Sequence, residues 1–129
     1  MRIRTVIIIL FAFVVSVLTG ACGDRSTGEL EQAARDFIDL LVEEKFDDAV
    51  KSFDSTMKTQ FPAEKLDETW EELQQQVGAF EQQMDARIEK IDKYDLVFVT
   101  CKFANMTLDA KVVFNSEQQI AGLWFIPSK

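Results

Sequence analysis

Histidine is absent from this sequence of 129 residues, and tyrosine occurs once, as Tyr94. Histidine is the usual base that activates a serine or cysteine nucleophile, so catalytic pairs of that kind are excluded. The acid–base chemistry that remains depends on carboxylates and lysines, and in an enzyme an acid such as Asp85 or Asp109 would have to lie in an apolar pocket. Both aspartates alternate out of phase with their apolar neighbours, which predicts that they face solvent. The composition therefore favours a protein that binds rather than catalyses.

Cysteine is scarce as well, and the first of the two, Cys22, closes a segment of recognisable type. Arg2 and Arg4 precede an apolar run over Val6–Leu18, and Thr19-Gly20-Ala21 are small residues directly before the cysteine. This order resembles a bacterial lipoprotein signal, in which a peptidase cuts before the cysteine and the thiol carries a diacylglycerol. The resemblance implies a cell-membrane lipoprotein, anchored by palmitate-type chains at the extracytoplasmic face.

The alternatives are an ordinary cleaved signal and an uncleaved membrane anchor. A helix that crosses the hydrocarbon needs roughly 20 apolar residues. The apolar run is shorter than that. We therefore predict a signal peptide over residues 1–21, an acylated cysteine with a short tether over 22–28, and one α+β domain over 29–129. The remaining cysteine, Cys101, would be the single free thiol, so no internal disulfide is expected. It alternates in phase with Val97, Val99 and Phe103, which predicts that it is buried.

Acidic residues outnumber basic ones. Because Arg2 and Arg4 are the only charged residues before Cys22, the rest of the chain has 22 acids, 12 bases and a net charge of −10. Nucleic acid is an unsuitable partner, since phosphate binding needs a basic surface. Four acids around the first predicted interhelical turn, Glu43, Glu44, Asp47 and Asp48, are typical of a solvated face, so neither a metal nor another cofactor is predicted.

Three amphipathic helices are predicted from apolar residues at spacings of three and four. The first runs from Leu30 to Leu41 and the second from Phe46 to Phe53. After a polar segment over 54–60 without clear periodicity, the third follows Pro62 and ends near Gly78.

Beyond Gly78 the apolar period changes to two, which is typical of strands. Four strands are predicted over Met84–Glu89, Tyr94–Phe103, Met106–Asn115 and Ile120–Ile126, and their order favours an antiparallel meander. The last strand is apolar on both faces, which predicts that both are buried. Its register against Leu108, Ala110 and Val112 of the third strand stays open. A two-residue turn would place these residues with Ala121, Leu123 and Phe125, and a three-residue turn would place them with Ile120 and Trp124.

Several segments together resemble the bacterial domain of unknown function 3887 family. They lie within residues 30–127 and comprise Ala34–Leu41, Phe46–Asp54, Met57-Lys58, Leu66, Trp70, Val113–Asn115 and Gln119–Pro127. The resemblance implies the fold of the nuclear-transport-factor-2-like (NTF2-like) superfamily, with N-terminal helices packed on a curved, cone-like, four-stranded antiparallel sheet. It also implies an accessory or dimerising role, because such domains accompany α/β-hydrolase modules. The Gly-x-Ser-x-Gly motif of such a module is absent from the sequence.

Two surfaces are candidates for function, and the sequence does not decide between them. A pocket at the junction of helices and sheet would bind a small molecule or a peptide. Its predicted lining is Trp70, Phe80, Met84 and Trp124. An apolar outer sheet face would serve a homodimer or an envelope protein. Its predicted residues are Leu96, Phe98, Leu123 and Phe125.

Overall fold

The computed structural model describes residues 27–128 of the chain. The predicted signal peptide and the acylated Cys22 lie outside the described residues, as does Lys129. Within the described part, no helix is both long enough and apolar enough to span a bilayer.

The helices come first in the chain. Helix α1 spans Thr27–Val42, α2 spans Phe46–Ala49 and continues as a 3-10 turn over Val50–Ser52, α3 spans Ser55–Gln60, and α4 spans Ala63–Val77. The apolar stripe of α1 is buried as its spacing predicts, and Phe37 and Ile38 at its centre are almost fully enclosed. Burial of a side chain of that size contributes about 2–3 kcal/mol. Gly78 ends α4 with a φ of +93°, a conformation that favours glycine.

Helix α3 is not among the three predicted helices, and it lies in the polar segment 54–60 that shows no clear periodicity. Asp54 caps it, because its side chain accepts a 2.8 Å hydrogen bond from the backbone N–H of Met57. Six residues make fewer than two turns, which is too short to establish an amphipathic period.

Four strands form one antiparallel sheet in the order β1-β2-β3-β4, which confirms the predicted meander and the α+β class. They span Phe80–Ile91, Tyr94–Phe103, Thr107–Phe114 and Ile120–Pro127. The sheet is curved and unclosed, with register shifts in β1 and between Val113 and Phe114 of β3, and bulges of this type bend strands. β1 and β4 are therefore edge strands.

The two faces of the sheet differ in what covers them. The helices cover the face that carries Val97, Val99, Cys101 and Phe103, and this layer is the hydrophobic core. The opposite face, called here the outer face, carries the alternating residues. Its central rows are Arg87, Phe98, Lys111 and Trp124 in one line, and Thr100, Asp109 and Ile126 in the next.

The register of β4 is settled by the bulge. Ala110 pairs with Phe125 and Val112 with Leu123, so Leu123 and Phe125 lie on the helix side, and the bulge brings Ile120 to that side too. The prediction that both faces of β4 are buried is wrong, because Trp124 on the outer face is 52% exposed. An edge strand of an open sheet is buried on one face only.

Candidate functional site

An apolar groove of about 280 Å³ lies between α4 and the edge strand β4. Helix α4 contributes one wall and β4 the other. Phe61, directly after α3, closes one end. Its lining is Leu41, Phe61, Leu66, Thr69, Trp70, Leu73, Leu123, Trp124 and Phe125. Thr69 is the single side chain with a hydroxyl in this set, so the groove is suited to apolar groups.

Trp70 forms the floor of the groove and is only 4% exposed. Its ring centroid lies 5.9 Å from that of Phe125, 6.0 Å from that of Phe103 and 6.1 Å from that of Phe80. Tilted aromatic pairs at these separations are favourable arrangements. The floor is therefore a packed aromatic cluster beneath the groove.

Trp124 forms the rim. Its ring lies over Gly122, where an added Cβ would come within 2.5 Å of it, and the Lys111 ammonium is 5.1 Å from its centroid. The absence of a side chain at residue 122 thus allows the indole to lie against the backbone of β4. An indole that is half exposed beside an apolar groove is available to a ligand.

A second groove of about 320 Å³ continues along β4 in the direction of α3. It shares Phe61, Leu123 and Trp124 with the first and adds four further residues. These are Met57, Gln60, Ala121 and Gly122. The two grooves together, called here the β4 groove, follow the edge strand over most of its length.

The structure brings together only part of the predicted pocket. Trp70 and Trp124 line the β4 groove, and Phe80 lies beneath it against Trp70. Met84 is 44% exposed on β1 and does not line the groove. The predicted lining lacked Phe61 and Leu73. Phe61 follows a polar segment without clear periodicity, and the helical spacing of Leu73 is that of a core residue.

The predicted interface residues do not form one patch. Leu96 and Phe98 lie on the outer face, whereas Leu123 and Phe125 lie on the helix side and line the groove. Leu96 and Phe98 are also only 6% and 7% exposed. The guanidinium carbon of Arg87 lies 4.3 Å from the Phe98 ring centroid, so a charged group covers this part of the outer face.

Asp109 lies on the outer face, as its alternation predicted, but it is buried instead of facing solvent. It is 1% exposed on the outer face, where it accepts hydrogen bonds from Thr100 Oγ1 at 2.9 Å and from Arg87 at 3.1 Å. Asp85 is exposed. Neither carboxylate lines the β4 groove, so the structure gives them no common site.

Cys101 is fully buried, as its place in the strand pattern predicted. Burial, and next the nearby Asp109 carboxylate, raise the pKa of its thiol to about 12, although Arg35 acts in the opposite direction. A thiol of this kind stays protonated and is a poor nucleophile.

The acidic residues around the turn after α1 do not converge. Glu43 pairs with Lys45 at 3.2 Å, and Asp48 pairs with Lys51 at 3.0 Å. Among residues 27–128, no group of three or more acids and cysteines is arranged to hold a metal ion.

A polar cavity of about 420 Å³ lies at the end of the sheet where β1 turns into β2 and β3 into β4. Thr27, Lys90, Lys93 and Asn115 line it, and Lys90 is held by Asp95 at 3.0 Å. Lys90 is paired and Lys93 is exposed to solvent. The cavity therefore does not have the enclosed, mostly apolar lining that is typical of a ligand site.

Comparison with known proteins gives a family and one curated relative. The family model described as "Protein of unknown function (DUF3887)" matches residues 34–123, which is more than half of the chain. "Esterase EstD" of Thermotoga maritima is 30% identical over 100 residues, which cover 76% of this chain and 24% of that protein. This chain therefore corresponds to about a quarter of the relative's length. No solved structure matches.

Proposed function

This chain belongs to the DUF3887 family of proteins of unknown function, and we propose that it is a lipid-anchored, extracytoplasmic accessory domain that binds an apolar ligand or peptide in the β4 groove. The action is non-catalytic. The domain would hold its ligand beside the membrane, and any chemistry would be that of a partner.

The β4 groove is the observation that carries the proposal. It combines a buried floor at Trp70, enclosed by apolar side chains, with a half-exposed indole at Trp124 on the rim. Ligand sites are typically concave, mostly apolar and preformed, with few polar groups. Thr69 and Gln60 are the polar side chains of the lining that would orient a bound molecule.

The sequence supports the anchor. Cys22 follows a segment of the lipoprotein-signal type, and α1 is described from Thr27, five residues later. Five extended residues reach at most about 18 Å, so a domain anchored at Cys22 would lie at the surface of the bilayer. A diacylglyceryl group supplies two chains, which is the number needed for stable anchoring.

The relative supports an accessory role. Only a quarter of "Esterase EstD" corresponds to this chain, so a domain of this sequence type occurs there as part of a longer protein whose name is that of an enzyme. We infer that the domain is a portable module that assists other proteins. The order of helices and then a curved antiparallel sheet also supports a place in the NTF2-like superfamily.

The outer face is the weaker candidate for the working surface. Arg87, Lys111 and the buried Asp109 divide it, and Leu123 and Phe125 are absent from it. A homodimer interface normally has a contiguous apolar centre.

Cysteine labelling in intact cells tests the proposal. The full chain carries either Thr69→Cys at the groove wall or Glu71→Cys on the exposed side of α4, and cells receive a sulfonated maleimide that does not cross the cytoplasmic membrane. We expect labelling of Glu71→Cys in cells, and slower labelling of Thr69→Cys in cells than in protein that is purified in urea and refolded, because a ligand occupies the groove in cells and is removed by unfolding. Cys101 is buried and should give no background.

Two results would contradict the proposal. Failure of Glu71→Cys to react in intact cells, with normal reaction after lysis, would mean that the domain is not extracytoplasmic. Equal rates for Thr69→Cys in cells and after purification would mean that the groove is empty where the protein works.

A further inference from the structure

The backbone of β4 has hydrogen-bonding groups that face away from the sheet. The N–H of Ser128 donates to the Thr107 carbonyl at 3.3 Å, and this bond fixes the phase of the β3–β4 ladder. In an antiparallel pair the residues alternate between facing the partner strand and facing away from it. With the observed register, Gly122, Trp124 and Ile126 face β3, so the N–H and C=O groups of Leu123 and Phe125 point to the free edge.

The two edges of the sheet differ in how they are protected. Natural edge strands carry charges, bulges or covering segments that prevent pairing with another chain. β1 has five charged residues in twelve and two irregularities of register. β4 has no charged residue between Ile120 and Pro127. Its edge is therefore suited to accept a further strand.

The first residue of β4 already has a backbone partner at this edge. The Asp54 N–H donates to the Ile120 carbonyl at 2.9 Å, and Phe53 forms a parallel bridge with Ile120. The chain then leaves the edge for α3, so this pairing stops after one bridge. The remainder of the edge, at Leu123 and Phe125, lies along the β4 groove.

The negative charge of α4 favours a basic partner segment as the occupant of the groove. The helix that forms the groove wall carries five acids and one base, and all five acids are exposed. None of them forms an ion pair with another described residue. They are Glu64, Asp67, Glu68, Glu71 and Glu72. A second copy of this chain would bring two such helices together, whereas a segment with lysine or arginine would be attracted.

We propose that the free edge of β4 binds an extended segment of a partner protein as a fifth strand, with apolar side chains in the β4 groove and basic residues opposite α4. The inference rests on the proposed function and specifies the class of ligand. Alternate side chains of the added strand would point toward Trp70 and toward the exposed Trp124, and backbone bonds to Leu123 and Phe125 would fix its register.

Hydrogen exchange tests the inference on the full chain in phosphatidylcholine nanodiscs. The probe is the peptide KKVTVTVKK, and the matched control is EEVTVTVEE. We expect the amides of Leu123 and Phe125 to exchange about tenfold more slowly with saturating KKVTVTVKK, because strand addition buries them in new hydrogen bonds. The acidic peptide should bind about tenfold more weakly, and Glu68→Lys combined with Glu72→Lys should remove the preference, because it brings the net charge of α4 from −4 to 0.

Variants at the two edges provide the second measurement. Leu123→Lys places a charge on the proposed binding edge, and we expect about a tenfold loss of KKVTVTVKK affinity. Met84→Lys makes the same change on β1 and should bind normally. If Leu123→Lys does not fold, the hydrogen-exchange measurement on the unmodified chain still tests whether a strand is added at β4.

Three outcomes would overturn the inference. One is that neither peptide binds. Another is binding that leaves the exchange at Leu123 and Phe125 unchanged. The third is protection of these amides without peptide that grows with protein concentration, which would identify a second copy as the occupant. If Thr69→Cys is nevertheless protected in cells, strand addition is wrong and the proposed function stands.

Discussion

Arg87 of β1 donates a hydrogen bond of 3.1 Å to Asp109 of β3, and it reaches across β2 to do so. The same guanidinium lies over Phe98, 4.3 Å from the ring centroid. One side chain therefore neutralises a buried carboxylate and covers an aromatic ring on the outer face. This relationship explains why the outer face is less apolar than the strand sequences alone predict.

We expect Thr100→Val to lower the free energy of unfolding by about 1–2 kcal/mol, because the buried Asp109 carboxylate loses the 2.9 Å bond from the threonine hydroxyl. Urea unfolding followed by circular dichroism measures the change. Thr107→Val is the matched control, since Thr107 also lies on the outer face and no side-chain hydrogen bond is found for it in the described chain. Equal stabilities of the two variants would contradict this account of Asp109.

Gly122→Val should displace the Trp124 ring, which lies within 2.5 Å of the position of the added Cβ. Because that ring is half exposed and able to move, the free energy of unfolding should change by less than about 1 kcal/mol. We expect the indole N–H signal of one tryptophan to shift in the NMR spectrum while that of Trp70 stays in place. Two unchanged indole signals would mean that Trp124 does not lie over residue 122.

Alkaline pH should weaken the fold through Cys101. Its thiol has a pKa of about 12 when folded, against an ordinary value of 9.0, so above pH 9 the unfolded chain loses a proton that the folded chain keeps. The stability that this group contributes is complete below about pH 9 and falls by about 1.4 kcal/mol per pH unit between there and pH 12.

The comparison with Cys101→Ala separates this effect from the titration of lysines and Tyr94. Urea unfolding of both proteins between pH 8 and pH 11 should show that the stability difference between them shrinks as pH rises. A difference that is constant over this range would mean that the thiol is not buried as the structure describes.

The number of reactive thiols should report the state of Cys22. We expect the full chain, extracted from membranes in mild detergent, to show no thiol that reacts with dithionitrobenzoate, and one after unfolding. Acylation removes Cys22 and burial protects Cys101 until the fold opens. The variant Cys22→Ala should also have one thiol after unfolding, but it should no longer incorporate a palmitate analogue. A native protein with one reactive thiol would show that Cys22 is not acylated.

The sequence predicted most of the fold because the elements are strongly periodic. The apolar spacing in α1 and the alternation in β2 follow directly from which side of each element is buried. Helix α3 was missed because six residues do not show a period, although Asp54 at its N-cap was a signal that could have indicated it.

The site was harder to predict because it depends on register and on neighbours. A bulge places Ile120, Leu123 and Phe125 on the same side, which neither simple hairpin length predicts. Asp109 is on the outer face as its alternation indicated, but the side chains around it exclude water, and alternation carries no information on that. The groove itself lies between α4 and β4, which are distant in sequence.

Native mass spectrometry of the full chain, extracted gently from its own membranes, tests most directly whether the β4 groove is the working surface. We predict a monomer that retains an additional bound mass, and loss of that mass in Leu73→Glu, which places a charge in the groove wall. A dimer without additional mass that becomes monomeric in Phe98→Glu would contradict the account, because the outer face would then be the surface that functions.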